Sequence, residues 1–170
     1  YYEDVIRGVE TDLTKSRFST FAELKDYCYG VASVVGLICI EVFGYEDESA
    51  KDYAVDMGIA MQLTNILRDV KEDVGRNRIY IPLDEMERFG YSEQELRQGV
   101  MNDSFRRLMA FQVQRAKTYY SSSSLLFSLV STEASACLRV LHAAYMSILL
   151  RIESLGYDVF SRRIGLSTTE

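Results

Sequence analysis

Apolar residues along this chain return every three or four positions over long stretches, and no stretch alternates strictly between apolar and polar. Val5, Ile6, Val9 and Leu13 already carry helical spacing. Thr20-Phe21-Ala22-Glu23 has the form of a capping box and opens an apolar run through Phe43 that stops at Gly44, a helix of roughly six turns. A second helix is expected to start within residues 46–51 and to run to about Val74, ended by Gly75. Residues 76–84, with Pro82 inside, read as a loop. Ser92-Glu93-Gln94-Glu95 offers another capping box, for a short helix ending near Gly99. Residues 102–130 and 132–153 carry two further long helical patterns, and the tail from Gly156 has no clear period. Long helices joined by short connections, without repeats or a linker, predict one large antiparallel bundle. In such bundles sites are built from side chains that project inward from facing helices.

The second long helix carries the most informative face. At roughly 100° per residue, Val55, Gly58, Gln62, Asn65, Asp69 and Asp73 fall in one narrow stripe. It begins small and apolar and ends in two amides and two carboxylates. Like charges one turn apart oppose folding unless a cation sits between them. Mg²⁺ suits such a pair, because it takes one or two protein carboxylates and completes its shell with water and phosphate oxygens. The apolar part of the stripe would then line a pocket for a greasy tail beneath a charged head. The plainer alternative is an acidic face turned to solvent. On the preceding helix Tyr27, Gly30, Val31, Val34, Ile38 and Glu41 share a face, a pattern that serves core packing as well as a pocket wall. Ala134, Leu138, Leu141, Tyr145, Leu149 and Ile152 repeat the theme later. The one histidine, His142, has no Ser, Cys or acid partner at a telling spacing and reads as packed or half-exposed.

Composition narrows the picture without changing it. At 170 residues, 48% hydrophobic and with one proline, the chain has enough apolar material for a core and favours helices over sheet. A formal net charge of -6 gives no basic face for nucleic acid. No window approaches 18 uninterrupted apolar residues, so no membrane-spanning segment is expected. Cys28, Cys39 and Cys137, odd in number and set in apolar runs, point to free thiols in a reducing, cytoplasmic compartment. Helical spacing from the first turn, without an initiator Met, leads to the expectation that the chain begins within a longer polypeptide.

Several runs are recognisable. Residues 27–36, Tyr-Cys-Tyr-Gly-Val-Ala-Ser-Val-Val-Gly, resemble the Y-C-x-x-V-A-x-x-V-G signature of the squalene and phytoene synthase family. Residues 62–73, from Gln62 through Asn65 and Asp69 to Asp73, are similar to that family's second aspartate-rich motif. Residues 76–82 resemble the segment that follows it, and Tyr157-Asp158-Val159-Phe160 with Arg162 looks like its C-terminal signature. The matches come in the family's order. They identify residues 1–170 as the C-terminal portion of a single all-α isoprenoid synthase domain, its N-terminal helices missing, closer to phytoene synthase and bacterial relatives.

The resemblance implies Mg²⁺-dependent, head-to-head condensation of two prenyl diphosphates, farnesyl or geranylgeranyl. The product is a cyclopropylcarbinyl diphosphate, carried on to phytoene, squalene or dehydrosqualene. It assigns Tyr27, Asp69 and Asp73 to catalysis, and Asp69, Asp73 and Asn65 to the metal (Mg²⁺, with Mn²⁺ as a substitute). Gln62, Asn65, Arg68, Tyr145 and Arg162 would hold the diphosphate, and Val31, Val34 and Gly58 the tail. NADPH is not expected, and a lipophilic product allows peripheral contact with a membrane. Two features depart from the family. Glu3, Asp4, Glu10 and Asp12 do not match its first aspartate-rich motif, and Ser33 stands at the pocket wall where many members have Gly. The 170 residues alone are therefore expected to be inactive. One rival is a non-catalytic assembly or scaffold protein with this fold. Another is a terpene cyclase or head-to-tail prenyltransferase, which residues 27–36 and 76–82 disfavour.

Overall fold

The structure, a computed structural model, describes residues 1–165. Among them every named element is helical: α1 (Tyr2–Thr14), α2 (Phe21–Cys28), a π-helical turn (Tyr29–Ser33), α3 (Val34–Phe43), α4 (Ala50–Arg68), α5 (Val70–Gly75), α6 (Leu83–Arg88), α7 (Glu93–Gln98), α8 (Asp103–Ser123), a 3₁₀ turn (Ser124–Ser128) and α9 (Thr132–Ser154). The expected boundaries hold where capping chemistry sets them. Gly44 ends α3 at φ 77°, and Gly99 follows α7 in the left-handed region at φ 65°, the conformation in which glycine commonly stops a helix. The Ser92 capping box is complete, with each of Ser92 and Glu95 holding the other's backbone N–H. The Thr20 box is half made: Thr20 accepts from the Glu23 N–H, while the Glu23 carboxylate turns away to Lys15 and the Ser19 N–H.

Four expectations change. The helix from Phe21 to Phe43 passes through the wide turn at Tyr29–Ser33. The helix expected to reach Val74 breaks at Asp69, whose backbone sits at φ -98° and ψ 12°. Still, the Asp69 N–H reaches the Asn65 carbonyl and the Asp73 N–H the Asp69 carbonyl, each at 2.9 Å, so the turn spacing survives the break. The helix from Asn102 ends at Ser123, where Ser123 and Ser124 turn their hydroxyls onto backbone carbonyls, and a tighter turn follows. The expected 76–84 loop is cut short at Leu83, where residues 83–88 form a helix that periodicity did not reveal.

α4 is the central helix, packed against the π turn, α3, α8 and α9. The main core gathers Leu24, Ile59, Leu63, Leu67, Leu108, Val113 and Leu149 around it, and a second cluster of Leu37, Ile40, Met57, Leu126 and Leu138 sits toward its N-terminal end. Phe21–Phe43 and Thr132–Ser154, with mean hydropathies of 1.6 and 1.3, are long and apolar enough to cross a membrane. No unbroken apolar run suggested this, because occasional charges interrupt both stretches. In this fold the first packs on α1 and α4, the second on α4 and α8.

Candidate functional site

Two close backbone approaches hold the wall of the site. A Cβ on Gly58 of α4 would lie 2.4 Å from the Ser33 Cα, and one on Gly8 of α1 would lie 2.6 Å from the Gly30 carbonyl carbon. The π turn is thus clasped between α1 and α4 at positions where only glycine fits. Ser33 is fully buried and donates its hydroxyl to the Val55 carbonyl at 2.8 Å. It is a strut between the π turn and α4, not part of the pocket wall as its place in the motif suggested.

Beside this contact lies an apolar cavity of about 470 Å³ between α3, α4, the 3₁₀ turn and α9. Val31 and Gly58 line it, as expected of the tail pocket, and Gln62, Asn65 and Tyr145 also reach it. Val34 does not: it is completely buried and off the cavity. The reason is the wide turn. A π turn takes one extra residue, which rotates everything after it by one position. The wall therefore runs Val31, Val35, Cys39, Phe43 in place of Val31, Val34, Ile38, Glu41. Nothing in a hydrophobicity pattern announces such a turn, so Val35, Cys39 and Phe43 escaped notice. α9 adds Cys137, Leu138 and Leu141.

The polar end of the cavity is on α4. The Asn65 amide nitrogen donates to the Gln62 amide oxygen at 3.3 Å, while the buried Asn65 Oδ1 has no hydrogen-bond partner. A buried, unpaired carbonyl oxygen is costly and marks a place built for a donor or a cation. One turn on, both Asp69 oxygens take hydrogen bonds from Arg68, at 2.8 Å and 2.5 Å. This bond raises the Arg68 pKa further, and the Tyr145 side chain lies close enough to add to it. One further turn on, the Asp73 carboxyl is pushed up to about 6, first by burial and then by the charge of Asp69. Arg76 and Arg78 pull it the other way.

Tyr27 stands apart from the cavity, on the α1 side of the π turn. Its ring lies 5.2 Å from Phe18 and 5.3 Å from Tyr80, and Tyr80 donates to Asp12 Oδ1 at 2.9 Å. Burial pushes the Tyr27 hydroxyl well above the usual tyrosine range, so it stays a neutral donor. Tyr27 also faces an open cavity of about 370 Å³ with Gly8 and Thr11 of α1. Arg162 is not brought to the acidic stripe: it is exposed, close to Asp158, and the neighbouring Arg163 pairs with Glu72 at 3.5 Å. The 76–82 segment is tied to Arg17 and to Arg97, which donates to the Asn77 Oδ1 at 2.6 Å. Arg17 donates to the Asn77 carbonyl at 2.6 Å. Asn77 itself adopts φ 60°, a left-handed conformation that asparagine tolerates. His142 is half-buried, as expected, with Nε2 3.1 Å from the Tyr120 carbonyl oxygen.

Among the described residues no three His, Cys, Asp or Glu side chains cluster to hold a metal. Two carboxylates and one unpaired amide oxygen along a stripe do suit Mg²⁺, which asks for few protein ligands and keeps oxygens of water and phosphate.

A family model described as squalene/phytoene synthase matches residues 1–170. The 15-cis-phytoene synthases of Synechocystis sp. and Synechococcus elongatus are each 40% identical over 98% of this chain, which covers 53% and 58% of their lengths. The chain thus spans just over half the length of these relatives. Its fold superimposes on a squalene synthase from Alicyclobacillus acidocaldarius with a TM-score of 0.89, at 28% identity over 92% of this chain and 60% of the other. A dehydrosqualene synthase solved in complex with a ligand gives 0.90, at 28% identity over 99% of this chain and 59% of the other.

Proposed function

Because this chain belongs to the squalene/phytoene synthase family, we propose that the whole protein condenses two prenyl diphosphates head to head, with Mg²⁺, to a cyclopropylcarbinyl diphosphate and on to phytoene, squalene or dehydrosqualene. One observation carries this reading: the apolar cavity ends at Gln62 and the unpaired Asn65 Oδ1, on the same helix face as Asp69 and Asp73.

The cavity takes a prenyl tail, and its largely apolar lining keeps water away from a carbocation. The diphosphate lies at the polar end, where Gln62 donates and Arg68 shares its guanidinium between Asp69 and the leaving group. Asn65, Asp69 and Asp73 would hold Mg²⁺, which when bound supplies the positive charge that steadies a departing diphosphate. The Tyr145 hydroxyl, near Arg68, donates to the same anion. Tyr27, held neutral and stacked on Phe18 and Tyr80, donates from the far side of the π turn toward the second substrate. The route to phytoene or dehydrosqualene ends in loss of a proton and needs no reductant, whereas squalene would require hydride from NADPH.

The full-length protein tests this with farnesyl and geranylgeranyl diphosphate. A C30 or C40 head-to-head hydrocarbon is expected, while a cyclic product or a chain five carbons longer would sink the assignment. Asp69→Ala in that protein is expected to lower turnover by about 10²–10³ with unchanged helicity. Near-normal turnover by the variant would refute the metal role. The shortage of a third clustered ligand favours one other reading, a non-catalytic protein of this fold, which predicts no product from either substrate.

A further inference from the structure

Two of the three cysteines face the same cavity from different helices: Cys39 from α3 and Cys137 from α9. Both are free thiols, Cys39 partly and Cys137 openly accessible to solvent, and both stand among Ile40, Phe43, Leu138 and Leu141. Cys28 is also a free thiol but sits elsewhere. It is fully buried, off the cavity, and burial pushes its thiol up to about 12. Cys137 lies two turns before Tyr145 on α9, roughly 12 Å along the helix from the polar end. The thiols therefore sit where a bound tail would run, away from the groups proposed to hold the diphosphate.

We propose that Cys39 and Cys137 form a modification site for lipophilic electrophiles of the α,β-unsaturated aldehyde class. In the addition, the cysteine sulfur forms a bond to the β-carbon of the enal and the proton lost from the thiol ends on the α-carbon. No oxidant or second reactant enters, and the aldehyde remains. The apolar cavity selects the reagent, since each methylene it buries favours binding about fourfold. The adduct leaves its alkyl chain in the cavity and blocks it. This rests on the cavity and its thiols, and only the consequence for a prenyl substrate rests on the function proposed above.

The full-length protein is treated with trans-2-nonenal or with acrolein, and adducts on each cysteine are quantified by peptide mass spectrometry, with rates normalised to glutathione. Cys39 and Cys137 are expected to prefer nonenal over acrolein by at least about tenfold, a fraction of what six buried methylenes allow. Farnesol, which has a tail but no diphosphate, is expected to slow both additions severalfold, and Cys28 to stay unmodified. Equal normalised rates for the two enals, or no protection by farnesol, would overturn the proposal. Cys39→Ser and Cys137→Ser assign each adduct and show whether one thiol suffices. None of these readouts needs turnover, so a protein inactive with prenyl diphosphates still tests the site.

Discussion

At the scale of single residues the acidic stripe is under strain. Asp73 titrates near 6 because burial and the charge of Asp69 both oppose its ionisation. An unfolded aspartate titrates near about 3.9. Below about pH 4 both states hold the proton and nothing is lost. Between pH 4 and 6 the unfolded chain releases its proton first, so stability falls as pH rises, and above 6 the penalty is constant. Asp73→Asn removes it. In chelator-treated buffer the variant is expected to match the parent near pH 3.5 and to exceed it by about 1–2 kcal/mol at pH 7.5, allowing for the partial exposure of the group. Denaturant unfolding at the two pH values measures this. A variant no more stable at pH 7.5 than at 3.5, relative to the parent, would mean that Asp73 is not strained. The stripe itself was legible, because helical spacing survives the break at Asp69. The Arg68–Asp69 pair was not, since neighbours on a regular helix point apart and only the local departure at Asp69 brings them together.

Among elements, the π turn decides which side chains meet the cavity. Capping boxes, glycine stops and long periodic runs could be read from the sequence, because each is local chemistry. The extra residue at Tyr29–Ser33 could not, because it answers to contacts with α1 and α4 that lie far along the chain. Gly58 is where this is tested. Gly58→Ala would drive its Cβ against the Ser33 backbone and is expected to destabilise by about 1–3 kcal/mol, with loss of cavity volume. Gly75→Ala, with nothing within 4 Å, is the control and is expected to be neutral or stabilising by up to about 1 kcal/mol. Equal effects in the two variants would show that the clasp is not tight.

For the molecule as a whole, the order of the long helices followed from pattern and motif, the central place of α4 is seen only in the packing, and the all-α isoprenoid synthase fold holds. What the pattern left out was position in space: Tyr27 on one side of the π turn, the cavity on the other, Arg162 away from both. The 170 residues span just over half of their relatives' length, and the described residues bring only two carboxylates to the stripe. The chain by itself is expected to yield no hydrocarbon from farnesyl or geranylgeranyl diphosphate, as gas chromatography of an extract would reveal. Condensation above background would show that two carboxylates suffice.

The wide turn also carries a consequence for chain length. It holds one residue more than ordinary helical pitch needs. Shortening the segment 30–33 by one residue would close the turn to ordinary helical pitch and leave Val35, Cys39 and Phe43 facing inward as before. The same deletion a turn or two later would rotate core positions into the cavity. Loss of one residue from this helix is therefore expected to leave the later wall in place at the wide turn and to disturb it further on.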